Sequence, residues 1–265
     1  GAATVNSGAL QTLTLSGKGT SVAAGTLGAL TVPAISSLNL NVNGLTTTGA
    51  VTLDTDVKTL NIDSSTAKST INSLSAASAA TVNIGGDALV TLTGQTFAAK
   101  AVITVTNTAG ASLGTALGNE AMFTGGAGAD SVSIGATKKA ITTGAGDDTV
   151  TIGATALSTG GSVDAGEGDD TLKMSDANAV TASAATTFEA TISNFEKLEL
   201  TGATAANQNV NLANLDNLNS VKIAGVNTGN TLTLSNATSG LDLTANAGAA
   251  GTLAATLANT GTADV

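Results

Sequence analysis

The chain has 265 residues, nine lysines against 19 acidic side chains and a net charge of −10, with no Cys, His, Trp or Tyr. That inventory excludes a disulfide framework, thiol nucleophiles, histidine zinc sites and Ser-His-Asp triads. It also argues against nucleic acid as a partner, because neither a basic patch nor an aromatic platform is available.

Only 11% of the residues are charged while 42% are hydrophobic, against roughly 25% charged in an ordinary globular domain. A core of Leu, Val, Ile and Ala is therefore expected beneath a surface of hydroxyls and amides. No run of about 18 apolar residues is present, so no membrane-inserted helix is indicated. The start Gly1-Ala2-Ala3-Thr4 has neither an initiating methionine nor a basic leader region, and a fragment of a longer chain is expected. The length predicts two or more structural units.

Residues 1–122 carry a recurring pattern U-x-x-U-x-U, where U is a large apolar residue. It reads Leu10-Leu13-Leu15-Gly17, Ile35-Leu38-Leu40, Val57-Leu60-Ile62 and, weakly, Ala79-Val82-Ile84-Gly86. Successive copies begin 25, 22 and 22 residues apart. Between them lie alternating segments such as Ala29-Leu30-Thr31-Val32, Ala50-Val51-Thr52-Leu53 and Leu89-Val90-Thr91-Leu92, the period-two pattern of strands with one buried face. A repeat of about 22 residues with two short strands predicts a β-solenoid, each coil burying its apolar face on the next. Asn and Thr are expected to line turns and stack in ladders. An irregular antiparallel sandwich is the competing architecture.

Residues 123–176 hold the most specific signal. Gly125–Ser133 reads GGAGADSVS, Thr143–Thr151 reads TGAGDDTVT and Ala165–Lys173 reads AGEGDDTLK. Each fits the nonapeptide G-G-x-G-x-D-x-U-x, the calcium-binding RTX unit; only the first glycine is replaced, by Thr143 and Ala165. Val132, Ile141 and Val150 are nine apart, as are Val163 and Leu172, with four extra residues near Gly153 to Ala156. Nine residues per half-turn predicts a parallel β-roll in which loops one full turn apart stack directly. Asp130, Asp148 and Asp170 then share one edge.

Calcium takes six to eight oxygens from carboxylates and carbonyls, and glycine frees the backbone to turn its carbonyls toward an ion. The candidate ligands are Asp130, Asp148 and Asp170, with carbonyls at Gly126, Gly128, Gly144, Gly146, Gly166 and Gly168. Asp147 and Asp169 add charge at the fifth loop position, either coordinating or solvated. About two Ca²⁺ sites are expected, one between each pair of adjacent loops. Tight turns built from Gly-Asp pairs are the plainer alternative. Residues 130 to 176 contain eight acids and three lysines, a self-repulsion that predicts calcium-dependent folding of this segment.

Residues 177–265 return to the β-repeat, as Phe195-Leu198-Leu200-Gly202 and Leu218-Val221-Ile223-Gly225. Helix is expected only in connectors, at Thr186 to Asn194 and as a turn at Leu212 to Leu218. Glu196 and Glu199, beside Lys197, read as a solvated strand face rather than a catalytic carboxylate pair. Asp54, Asp56 and Asp63, and separately Gly86-Asp87, are further cation-site candidates, with ordinary surface acids the favoured reading. The fold class expected for the whole is all-β, a parallel β-solenoid and β-roll with calcium-type turns.

The three loops followed by the Phe-Glu-x-Leu-x-Leu strand (Phe195 to Leu200) resemble RTX-type surface-layer (S-layer) proteins of Gram-negative bacteria. The resemblance implies type I secretion, calcium-triggered folding outside the cell and self-association into a two-dimensional lattice on the cell surface. It also implies attachment to lipopolysaccharide through a separate N-terminal region, which this chain does not display; no secretion signal is recognisable in Gly251 to Val265. Thr143 and Ala165 depart from the family's glycine and put the second site in doubt.

Two other readings compete with a structural, non-enzymatic lattice protein: an RTX module of a secreted hydrolase, and a repeat of a large adhesin. About 50 residues bear loops and the remainder is repeat with few functional side chains, which favours a scaffold. An ice-binding surface, suggested by Thr12-Leu13-Thr14, Thr91-Leu92-Thr93 and Thr231-Leu232-Thr233, is disfavoured by their uneven spacing.

Overall fold

The structure is a computed structural model that describes residues 11–16, 27–30, 36–47, 49–246 and 251–257. All pairings between its strands are parallel, and the chain winds as a β-solenoid of about ten coils. A first nine-stranded sheet contains Thr12–Ser16, Ser37–Asn43, Thr59–Ser64, Thr81–Gly86, Val102–Val105, Met122–Thr124, Ala140–Thr142, Ser162–Asp164 and Ile192–Ser193. A second begins at Ser69–Ile71 and continues through Val90–Leu92, Ala111–Leu113, Ser131–Ile134, Thr149–Ile152, Thr171–Ser175, Lys197–Thr201, Ser220–Ile223 and Asp242–Ala245.

The early coils carry a further sheet of Leu27–Leu30, Ala50–Leu53, Ser73–Ser75 and Gln95–Thr96, a third strand in the two coils that hold Ser69–Ile71 and Val90–Leu92. The late coils pair the second sheet with Gln208–Asn211, Thr231–Ala237 and Thr252–Leu257. The middle coils are built from strands of the first and second sheets alone, and there the repeat falls to 18 residues between Val132 and Val150. The second sheet passes unbroken from Ala111–Leu113 to Ser131–Ile134 and from Thr171–Ser175 to Lys197–Thr201. The loop-bearing middle and both flanks thus form one stack.

The stacking follows from the inward files. Leu38, Leu60, Val82, Ile103, Phe123, Ile141 and Val163 lie in register down the first sheet, all buried. Each such side chain contributes roughly 1.5–3 kcal/mol on leaving water, and period-two alternation sends the polar neighbour outward. Facing outward, Asn61 Nδ2 donates to Asn39 Oδ1 at 2.7 Å and Asn83 Nδ2 to Asn61 Oδ1 at 2.8 Å. The expected amide ladder exists, on a strand face rather than in turns.

Two details differ from the sequence pattern. Leu13 and Leu15 pair with Leu40 and Val42, two residues later than the repeat predicts; a two-residue shift keeps both leucines on the inner face. Leu10, Gly17, Thr31, Val32 and Ile35 lie outside the described residues. In addition, the α-helix is Asp176–Ala182, not Thr186 to Asn194. Ser175 Oγ accepts the Asn178 N–H at 3.2 Å as its cap, and Asp176, Ala179 and Ala182 form its buried side, whose two alanines are too small to register as apolar periodicity. At 189–191 there is a single 3₁₀ turn, because Ile192 is claimed by the ladder opposite Val163. The connector expected at Leu212 to Leu218 is present as a 3₁₀ turn, Leu212–Asn214.

Candidate metal centre

Residues 125–130, 143–148 and 165–170 each carry the chain from the first sheet to the second, so the three loops lie on one edge of the solenoid. The return connections 135–139, 153–161 and 176–191 occupy the other edge. The extra residues after Gly153 therefore leave the register untouched: Val132, Val150 and Leu172 still stack, as do Phe123, Ile141 and Val163.

Close approach of the loops explains the glycines. Gly144 and Gly166 have φ of 103° and 99°, and Gly146 and Gly168 of 115° and 152°, a region that side chains with a Cβ avoid. Gly128 lies outside that region but is packed so tightly that a Cβ would sit 2.2 Å from the Gly110 nitrogen. A Cβ on Gly125 would lie 1.9 Å from the Thr143 carbonyl oxygen and 2.5 Å from Asp130 Oδ2. At Thr143, by contrast, a hydroxyl fits: Thr143 Oγ1 donates to the Ala165 carbonyl at 2.7 Å and ties the second loop to the third.

Asp130, Asp148 and Asp170 are all buried, at 1%, 1% and 0% exposure. They form a directional ladder. Ala111 N–H donates to Asp130 Oδ1 at 2.7 Å, Asp130 N–H to Asp148 Oδ1 at 2.6 Å, and Asp148 N–H to Asp170 Oδ1 at 2.7 Å. Each carboxylate therefore leans onto the loop below it. Asp130 has a second donor, the Gly126 N–H at 3.2 Å from Oδ2. Asp148 Oδ2 and Asp170 Oδ2 have no hydrogen-bond partner and are buried. Ser64 Oγ and Gln208 Oε1 are the other such atoms among the described residues.

A buried carboxylate oxygen without a donor is costly. Burial pushes Asp130, Asp148 and Asp170 each up from 3.8 to about 6, against the lowering effect of their backbone donors and, for Asp148, of the Thr143 side chain. In Asp148 and Asp170 the neighbouring acids push the same way. Hard, oxygen-only donors of this kind suit Ca²⁺. Asp148 Oδ2 and Asp170 Oδ2 lie one at each of the two levels between adjacent loops. Among the described residues no group of three or more acidic side chains forms a metal cage, so an ion here would draw much of its coordination from loop carbonyls.

Asp147 and Asp169 stand outside this interior. Both are exposed; Asp147 Oδ1 accepts the Asp169 N–H at 3.1 Å, and Asp169 Oδ2 pairs with Lys197 Nζ at 2.9 Å. Glu196 is the residue that the sequence reading missed. Its Oε2 accepts the Asp170 N–H at 2.8 Å, continuing the ladder by one step instead of facing solvent. The signal was present: Asp130, Asp148, Asp170 and Glu196 each stand two residues before an inward apolar residue of the second sheet, Val132, Val150, Leu172 and Leu198. Glu199 is a surface group, held between Lys173 at 2.7 Å and Lys222 at 3.3 Å, with Lys173 chiefly lowering its pKa.

Asp54 and Asp87 accept backbone N–H groups, Asp54 Oδ1 from Asp56 at 3.0 Å and Asp87 Oδ1 from Thr66 at 2.9 Å. Asp63 is exposed beside Gly85 on the outer face of the first sheet. The three Thr-Leu-Thr triplets fall on three different sheets, so they make no common surface. No protein-family model matches the chain, and no curated protein matches it by sequence.

Proposed function

We propose that this chain is a structural segment of a secreted S-layer protein, which folds around Ca²⁺ and self-associates into a lattice on the cell surface. The observation that carries the calcium step is the pair of buried, partnerless oxygens, Asp148 Oδ2 and Asp170 Oδ2, at the two levels between stacked glycine loops. Asp148 and Asp170 would hold the ions together with carbonyls of the loops at 125–130, 143–148 and 165–170. A bound cation would supply charge neutralisation there; the protein's part is to hold the Asp148 and Asp170 carboxylates aligned through the Asp130 and Asp148 backbone N–H groups.

The scaffold role is supported by continuity and by surface chemistry. The middle coils share a sheet with both flanks, so the loop-bearing coils are built into one continuous scaffold. The outer faces are rich in Asn, Thr and Ser, and broad contacts between copies are easier where few charges lose water. No catalytic chemistry is assigned.

Electron microscopy of the protein with millimolar calcium and with EGTA tests this reading. Ordered two-dimensional sheets formed only with calcium are expected. Monodisperse single particles at high concentration in both conditions would instead favour an RTX module of an adhesin or a secreted hydrolase.

A further inference from the structure

The carboxylate ladder has two ends, and they are closed in different ways. At the lower end Asp130 spends both oxygens on backbone donors, Ala111 and Gly126. At the upper end Glu196 stands over the third loop as Asp170 stands over the second, but no fourth glycine loop follows. The next side chain, Lys197, sends its ammonium back to Asp169, 2.9 Å from Oδ2 and 3.3 Å from the carbonyl oxygen.

This lysine occupies a distinctive place. Ser131, Thr149, Thr171 and Lys197 form one in-register file on the second sheet, each directly after a ladder acid. In the three loops the position holds a short hydroxyl; only after Glu196 is it cationic. Lys197 Nζ donates to Asp169, and Asp147 and Glu196 add negative charge nearby.

We propose that Lys197 is a built-in cation that terminates the calcium stack, holding at the Asp169 carbonyl and carboxylate, beside Glu196, the place that a third Ca²⁺ would otherwise take. The proposal rests on the calcium reading above. Its chemistry is substitution of one cation by another. An ammonium offers three donors to the Asp169 carbonyl and carboxylate; without it, those oxygens and the Glu196 carboxylate offer a hard-cation site. A fixed internal charge sets the number of ions and needs no calcium to close that end.

The test is calcium stoichiometry on the full chain, by isothermal titration calorimetry and native mass spectrometry. Wild type is expected to bind two ions, Lys197→Met three, Lys197→Arg two, and Lys197→Met combined with Glu196→Gln two. Lys197→Gln serves as the second variant if Lys197→Met does not give the wild-type circular dichroism spectrum with calcium. Two ions in the folded Lys197→Met or Lys197→Gln protein, or three in wild type, overturn the proposal and leave the calcium reading standing. No bound ion in wild type removes the calcium reading itself, and this inference with it.

Discussion

Asp148 Oδ1 lies 2.6 Å from the Asp130 backbone nitrogen while Asp148 Oδ2 is buried without a partner. One carboxylate thus does two separable things: it ties one coil to the next, and it carries a buried charge with no ion-pair partner among the described residues. Asp170 repeats the arrangement one coil higher, with its Oδ1 on the Asp148 N–H. The tie survives replacement by asparagine; the charge does not.

Asp148→Asn and Asp170→Asn should therefore separate fold from ion binding. Each variant keeps the acceptor for the backbone N–H but removes a buried charge. Without calcium at pH 7.5 each is expected to gain on the order of 2 kcal/mol of stability over wild type, and each should bind one ion fewer. Urea melts with EGTA and calcium titrations check both halves. A variant that is less stable in EGTA and binds the wild-type number of ions contradicts the assignment.

The pH dependence has a defined sign. The folded carboxyls of Asp130, Asp148 and Asp170 titrate at about 6, above their ordinary 3.8. Between those values the folded state binds more protons than the unfolded chain, so ion-free stability is full below about pH 3.8 and is lost as pH rises through about 6. The contribution is on the order of 3 kcal/mol for one such carboxyl. Saturating calcium should reverse the trend, because the ion needs ionised ligands. Thermal melts in EGTA at pH 4.5 and 7.5 should show the higher midpoint at 4.5. The same pair with calcium should show it at 7.5.

Much of this geometry was legible because the solenoid writes its period directly into the sequence. The nine-residue spacing of Val132, Ile141 and Val150 placed alternate residues on opposite sheets, as the registers Phe123–Ile141 and Val132–Val150 bear out. The insertion near Gly153 was recognisable as a bulge in a return connection. Glu196 was not legible by the same route, because the glycines that flag an aspartate loop are missing before it. Only its offset from Leu198 reveals it, and that offset has meaning once Leu172 and Leu198 are known to stack. The Asp176–Ala182 helix escaped for a different reason: the apolar residues of its buried side are alanines, which leave no apolar stripe.

Glu196 then makes its own prediction. Its carboxylate is the acceptor for the Asp170 N–H, and Asp170 sits at 0% exposure. Glu196→Ala leaves that donor without an acceptor, a loss of about 1–3 kcal/mol. Glu196→Gln retains a carbonyl acceptor and should stay within about 1 kcal/mol of wild type. Chemical denaturation distinguishes the two; equal loss in both variants would mean that the glutamate acts by charge alone.

Hydrogen exchange should localise the effect of calcium removal. The coils from Ser37 to Leu113 are closed by Leu38, Leu60, Val82, Ile71 and Leu92, all at 0% exposure, and by the Asn39–Asn61–Asn83 amide ladder. They carry none of the buried partnerless acids. In the middle coils the third strand is gone, the core is two sheets thick, and three buried carboxylates are stacked within one edge. EGTA should therefore raise amide exchange at 123–176 by at least tenfold, a free-energy change of about 1.4 kcal/mol. Exchange in the strands Ser37–Asn43, Thr59–Ser64 and Thr81–Gly86 should stay near its calcium-bound rate. Uniform loosening of all coils would show that calcium acts on the whole stack at once, through the sheet that Ala111–Leu113 shares with Ser131–Ile134.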